Sequence, residues 1–205
     1  GNLAVSAGFP GAMAAYIRRE LGGDCLPLFL QGACGDINPY ETGLRGRYGF
    51  LLMRHTGRSL AREALRAAQS VETVGGPGVS LDVTERLIPL AHRRNRSATS
   101  QIGLAVTLIN DTIALVSIPG EPFVQHQLSL AAKTPCEEAF LLGLAYTGKG
   151  VPYALYLPTR EAAQNGGYGA DTATFLEPGA GGILVENAVR AVRRSIQRPS
   201  GPTGD

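Results

Sequence analysis

Ile102, Leu104, Val106 and Leu108 alternate with smaller or polar residues, and a two-residue period of this kind describes a strand with one face turned inward. Asn110-Asp111 follows as a two-residue turn, weaker than Asn-Gly but of the same type, and Thr112 to Ile118 returns. This hairpin is the firmest constraint in the chain, because everything else must pack on the sheet it starts. Val79 to Leu90 predicts a further strand, and the apolar runs Leu26 to Leu30 and Phe140 to Ala145 predict buried ones.

Helical spacing appears in four places. Met13, Tyr16, Ile17 and Leu21 share one face and stop at Gly22-Gly23. A long helix is predicted over Tyr48 to Gln69, with Leu52, Leu60, Ala64, Leu65 and Ala68 inward and Arg58, Arg62 and Arg66 on a solvated face. Pro122 suits the first position of a helix running to about Lys133, which puts Glu121 at or beside its N-cap. Ile183 to Gln197 predicts a last amphipathic helix, its arginines in the C-terminal half where they suit the helix dipole. Interleaved strands and helices with one hairpin define the class: α/β, a mixed β-sheet with flanking helices and one antiparallel hairpin.

A chain of 205 residues with 44% hydrophobic content can bury a core without disulfides or metals. Its net charge of +2 leaves no broad electrostatic footprint for nucleic acid, and the basic loop His92 to Arg96, without aromatic neighbours, reads as solvated. No run of 18 apolar residues spans a membrane. Cys25, Cys34 and Cys136 lack metal-type spacing and read as buried free thiols, with one bridge left open. The first residue is not methionine and no signal-like segment follows, so the chain is expected to be a piece of a longer protein: residues 1–198 folded, 199–205 a disordered tail.

Leu155 to Gly169 is the most tightly specified loop. Thr159 can accept from a free N–H of a first turn, Arg160 to Gln164 can make about a turn and a half, and Gly166 or Gly167 can end it. Tyr156 and Tyr168 flank that knob. Three apolar strands are expected to end in small, polar loops: Gly32 to Pro39, Pro119 to Pro122 and Thr147 to Tyr156. If those ends converge, as strand ends do at sites in α/β sheets, one pocket receives Asp36, Asn38, Glu121, Tyr156 and Tyr168. Carboxylates and phenols in one cleft suit a cation or proton transfer.

Ser-Ala-Gly-Phe-Pro-Gly, Gly-Asp-Ile-Asn-Pro, Pro-Gly-Glu-Pro-Phe and Tyr-x-Pro-Thr-Arg-Glu with a following Gly-Gly-Tyr occur here in one order. Together they resemble the neutral/alkaline (non-lysosomal) ceramidase family, over nearly the whole chain from Asn2 to about Arg194. The resemblance implies part of a larger catalytic domain, a zinc-dependent amidase acting on the N-acyl bond of ceramide or a related lipid amide. It implies Glu121 and Tyr156 as two zinc ligands, to be completed by two histidines upstream of this chain, so Zn2+ is expected only with those histidines present. It implies that Tyr168 hydrogen-bonds near the reacting carbonyl, with Asp36 and Asn38 beside it. An extracellular, periplasmic or membrane-associated location follows from the same resemblance.

Three positions depart from the family pattern. Asn38 stands where the ceramidases carry a serine implicated in catalysis, Gly8 where an aspartate is usual, and Gly169 where a glutamate is usual. His55, His92 and His126 match neither zinc histidine and read as surface or packing residues. The competing expectation is therefore a non-catalytic binding module or degenerate relative that keeps the fold.

Overall fold

The structure, a computed structural model, describes residues 5–39, 47–73, 78–145 and 147–197. The expected tail, and all but Gly78 of the Gly/Pro turn before the first strand, lie outside the described residues. Two compact units divide the chain: one runs to Leu30 and resumes at Pro39, and the other takes Gln31–Asn38 and everything from Pro77 onward.

The first unit contains helices α1 (Gly8–Leu21) and α2 (Arg47–Ala68). Gly8 opens α1 at φ +57°, where a side chain is disfavoured, which accounts for a glycine at this departure from the family pattern. Met13 and Ile17 are buried as their spacing predicts, whereas Leu21 at the helix end is 59% exposed. The inward face of α2 differs from expectation. Gly57 and Ala61 are buried and Leu52 and Leu65 half-buried, whereas Leu60, Ala64 and Ala68 face outward. Close approach decides it: a Cβ on Gly57 would sit 2.6 Å from Ala12 Cβ and 2.8 Å from the Met13 nitrogen. Small residues one turn apart mark where the helices touch, and they outweigh the larger leucines beside them. Arg58, Arg62 and Arg66 are exposed as expected.

Leu26 to Leu30 is not a buried strand. Leu26, Leu28 and Leu30 are 75%, 79% and 59% exposed, and the segment joins no ladder among the described residues. An apolar run becomes a strand only where another strand takes its backbone groups.

The second unit is built on a four-stranded sheet in the order β1 (Leu81–Ala91), β2 (Thr99–Ile109), β3 (Ile113–Ser117), β5 (Glu138–Leu142). β1, β2 and β3 run antiparallel and β5 lies parallel to β3, so the sheet is mixed. The hairpin forms, with Ile109 opposite Ile113 and both Asn110 (φ +51°) and Asp111 (φ +58°) left-handed, but its loop holds three residues, Asn110 to Thr112, where the dipeptide predicted two. α3 (Val124–Lys133) makes the β3-to-β5 crossover, and α3 and α5 (Ala180–Ile196) pack on the sheet. Ile102, Leu104, Val106 and Leu108 are buried in one cluster with Leu130, Leu184, Val189 and Val192.

Two short strands set the site. β4 is Glu121–Pro122 and β6 is Tyr156–Leu157, and they pair in parallel, Glu121 opposite Tyr156. Glu121 is thus not the cap of α3. Phe123 is the N-cap, and the extended pair before it binds a strand 35 residues later in sequence. Pro122 tolerates this position because its missing N–H is not needed by a two-residue bridge.

Candidate active site

Three segments far apart in sequence close around one cleft of about 630 Å³: residues 34–38, Glu121 with Phe123, and Tyr156 with residues 162–170. All five expected residues line it: Asp36, Asn38, Glu121, Tyr156 and Tyr168.

Backbone bonds fix the centre. Glu121 N donates to Leu155 O at 2.9 Å, Phe123 N to Leu157 O at 3.1 Å, and Tyr156 N to Ala173 O at 3.3 Å. Leu155 precedes Tyr156 at φ +55°, a strained conformation for a γ-branched residue that is held by these bonds on both sides. The knob between the tyrosines forms as predicted. Thr159 Oγ1 accepts from Ala162 N at 3.0 Å at the start of α4 (Arg160–Asn165), and Gly166 (φ +76°) and Gly167 (φ +114°) end it. A single π-helical turn, Tyr168–Thr172, then carries the second phenol. The two rings meet edge to face, centroids 5.5 Å apart and planes at 72°. Gly169 lies against the Tyr156 ring, where a Cβ would come within 2.7 Å of Cδ1. This contact explains why a glycine follows Tyr168 in this chain.

The loop 34–38 is tied to the same centre. Gly35 N donates to Pro122 O at 2.9 Å, and a Cβ there would strike the Glu121 carbonyl and lie 2.8 Å from the Phe123 ring. Asp36 Oδ1 accepts from Val124 N at 2.7 Å. Phe123 has no side chain to cap α3, so Asp36 serves as the cap from 88 residues away, worth about 1 kcal/mol and aided by the helix dipole. Asn38, two residues on, is exposed and makes no hydrogen bond to the described residues, so its amide is free to serve a ligand.

Glu121 is one of two carboxylates in the cleft, with Asp36, and has the Tyr153 and Tyr156 phenols beside it. Tyr153 Oη donates to Glu121 Oε1 at 2.8 Å, and loss of water, that bond and the carboxylate's charge push the Tyr153 pKa up. Tyr156 is also raised, first by loss of water and then by the proximity and charge of the Glu121 carboxylate. Burial and then the Glu121 charge raise the nearby Cys34 thiol. The three cysteines are free, but each is half-buried rather than buried as expected.

Sequence reasoning missed two residues. Tyr153 falls in a stretch without periodicity, and its only signal was its three-residue distance from Tyr156. Arg93 was assigned to a solvated basic loop, yet its side chain is 20% exposed and pairs with Asp171 at 2.9 Å. Arg93 also donates to Ala170 O at 2.8 Å and to Ala163 O at 3.3 Å. The carbonyl acceptors belong to α4 and the π-turn, so the arginine grips the tyrosine knob from behind. Of the histidines, His55 is exposed. His92 is half-buried with Nε2 2.8 Å from Ser100 Oγ, and His126 is 6% exposed against Pro158 O at 3.3 Å. Burial holds His126 below its ordinary pKa.

Among the described residues no three His, Cys, Asp or Glu side chains cluster so as to hold a metal. Glu121 and Tyr156 are nevertheless bridged neighbours whose oxygens suit a borderline cation such as zinc. A phenol becomes a metal ligand only as its proton leaves.

A mixed α/β sheet with a carboxylate–phenol cleft at its loop ends defines a class of protein with the means for proton transfer or cation binding. Comparison narrows this. No known family profile and no curated protein sequence matches the chain. Solved structures do match. A neutral ceramidase from Pseudomonas aeruginosa superposes with a TM-score of 0.68 at 16% identity, and a ceramidase complexed with C2 with 0.72 at 15%. Each match covers 100% of this chain and 44% of the other, so the chain spans less than half the length of those ceramidases. The fold is that of part of the neutral ceramidases, as the motifs implied.

Proposed function

We propose that this chain forms part of the site of a ceramidase-like amidohydrolase that cleaves the N-acyl bond of ceramide or a related lipid amide. One observation carries the reading. Glu121 and Tyr156 face each other across a parallel bridge, with Tyr168 and Asn38 around the same cleft, on a fold shared with neutral ceramidases. Glu121 and Tyr156 would hold zinc together with ligands from outside this chain. When bound, the ion supplies Lewis acidity and lowers the pKa of a water.

The chain's own residues do the rest. An amide carbonyl under attack develops negative charge on oxygen, and the Tyr168 phenol and the Asn38 amide are two donors in the cleft lining that would receive it. Tyr156 steadies Tyr168 through their edge-to-face contact. Asp36 and Gly35 hold the loop that presents Asn38. Phe123, 8% exposed, gives the cleft an apolar wall for part of an acyl or sphingoid chain. Asn38 cannot act as a nucleophile, so no acyl-enzyme forms through it.

The test is Tyr168→Phe in the intact protein, assayed by fatty-acid release from N-acyl amides. We expect kcat to fall about 10²-fold, with bound zinc unchanged. The competing reading, a binding module, is favoured by the amide at position 38. It predicts that lipid amide binds but is not hydrolysed by the unsubstituted protein, and that outcome would replace the enzyme reading.

A further inference from the structure

The carboxylate at the centre of the cleft is not left to find its own orientation. Glu121 is a long side chain on a two-residue strand, and ordering such a chain costs rotamer entropy. A ligand carboxylate must nonetheless be held to a narrow range of directions, and hydrogen bonds from behind are the usual means. Here a specific partner is in place. Tyr153 Oη donates to Glu121 Oε1 at 2.8 Å, and this occupies one oxygen while Oε2 stays outside that bond.

The backbone that carries Tyr153 is locked to the backbone that carries Glu121. Ala154 is fully buried and its N–H donates to Pro119 O at 2.6 Å, while Leu155 O accepts from Glu121 N at 2.9 Å. Gly120 is pressed into the same junction, since a Cβ on it would lie 2.8 Å from Leu155 O and 3.1 Å from Ala154 Cβ. The junction leaves little freedom between positions 153 and 121, so the phenol and carboxylate meet with little further loss of entropy. Tyr153 and Tyr156, three residues apart on either side of the left-handed Leu155, thus bracket one carboxylate. The proposed ligand role of Tyr156 has no counterpart at Tyr153, which is not among the residues lining the cleft.

We propose that Tyr153 is the positioning residue of the site, orienting the Glu121 carboxylate toward a divalent cation without touching that cation itself. This rests on the zinc reading of Glu121 and Tyr156, and the test separates the two. Zinc affinity is measured in the intact protein by competition with a coloured chelator, for the unsubstituted protein, Tyr153→Phe, Glu121→Gln and the double variant. Tyr153→Phe keeps the ring and removes only the donor. Thermal unfolding of the zinc-free proteins confirms that the fold is retained. The expected result is a 10–100-fold weaker zinc Kd for Tyr153→Phe, the range seen when outer partners of ligands are lost. In the Glu121→Gln background the same change should alter Kd less than about twofold, because the partner through which it acts is gone.

An unchanged Kd for Tyr153→Phe overturns the proposal and leaves the metal reading standing, provided Glu121→Gln weakens zinc. An equal loss in both backgrounds also overturns it, since Tyr153 would then act by another route. If Glu121→Gln leaves the zinc Kd unchanged, the ligand assignment falls and the proposal falls with it.

Discussion

Arg93→Ala should lower the unfolding free energy by about 2–3 kcal/mol and loosen the tyrosine knob more than any other part of the second unit. The guanidinium makes three bonds, to the Asp171 carboxylate and to the carbonyls of Ala163 and Ala170. Hydrogen bonds to a charged donor contribute about 1.5–3 kcal/mol each. The sum is not additive, and the Asp171 side chain is 53% exposed, so solvent screens that pair and the ion-pair share stays under about 1 kcal/mol. The larger loss comes from the carbonyl oxygens of α4 and the π-turn, stripped of their donor. Hydrogen exchange should show the amides of residues 163–173 losing protection while those of β2 and β3 keep theirs. Arg93→Lys keeps the charge but cannot reach three acceptors with one planar fork, so it should recover only part of the loss. A uniform loss across the unit, or none, would show that Arg93 is not what holds the knob.

Asn38→Ala carries the second large effect, on rate rather than stability. The side chain is exposed and bonds to nothing described, so its removal should leave the unfolding midpoint within about a degree or two, as for surface changes of ±0.5 kcal/mol. If the amide donates to the developing oxyanion, kcat should fall by roughly 10²–10³, or about 2.7–4 kcal/mol of transition-state stabilisation. Asn38→Ser keeps a donor and should retain part of the activity. Steady-state kinetics on short N-acyl amides checks both, and an alanine variant as fast as the unsubstituted protein would make position 38 incidental to the chemistry.

How much of this was legible depended on whether the deciding contact was local. The hairpin is written in a period of two and a turn dipeptide, both properties of neighbouring residues. The Thr159 cap and the glycines after α4 are local in the same sense, and each formed where expected. The convergence of five site residues was reachable from a general rule about strand ends, although it needed the β4–β6 bridge to bring Glu121 to Tyr156. That bridge hid the true position of Glu121, because Pro122 also suits a helix start and only a partner 35 residues on selects the strand. Leu26 to Leu30 failed for the converse reason: composition promised a strand, and no described strand pairs with it. The face of α2 was misread because Gly57 and Ala61 carry little hydrophobic weight, yet they sit where α1 comes nearest. Arg93 and Tyr153 were not legible locally, since a polar side chain in a loop declares nothing until its acceptors, 32 to 78 residues away, are placed.

No helix among the described residues is long and apolar enough to cross a membrane. Beside the glycine-rich rim of Gly166, Gly167 and Gly169, Tyr168 is 74% exposed along the cleft.

The most direct test is zinc-dependent hydrolysis by the intact protein, following fatty-acid release from N-acylsphingosine as zinc is removed with a chelator and restored. The account predicts activity that disappears on removal, returns on restoration, and is lost together with bound zinc in Glu121→Gln and Tyr156→Phe. Hydrolysis that persists in chelator, or that survives both substitutions, would contradict it.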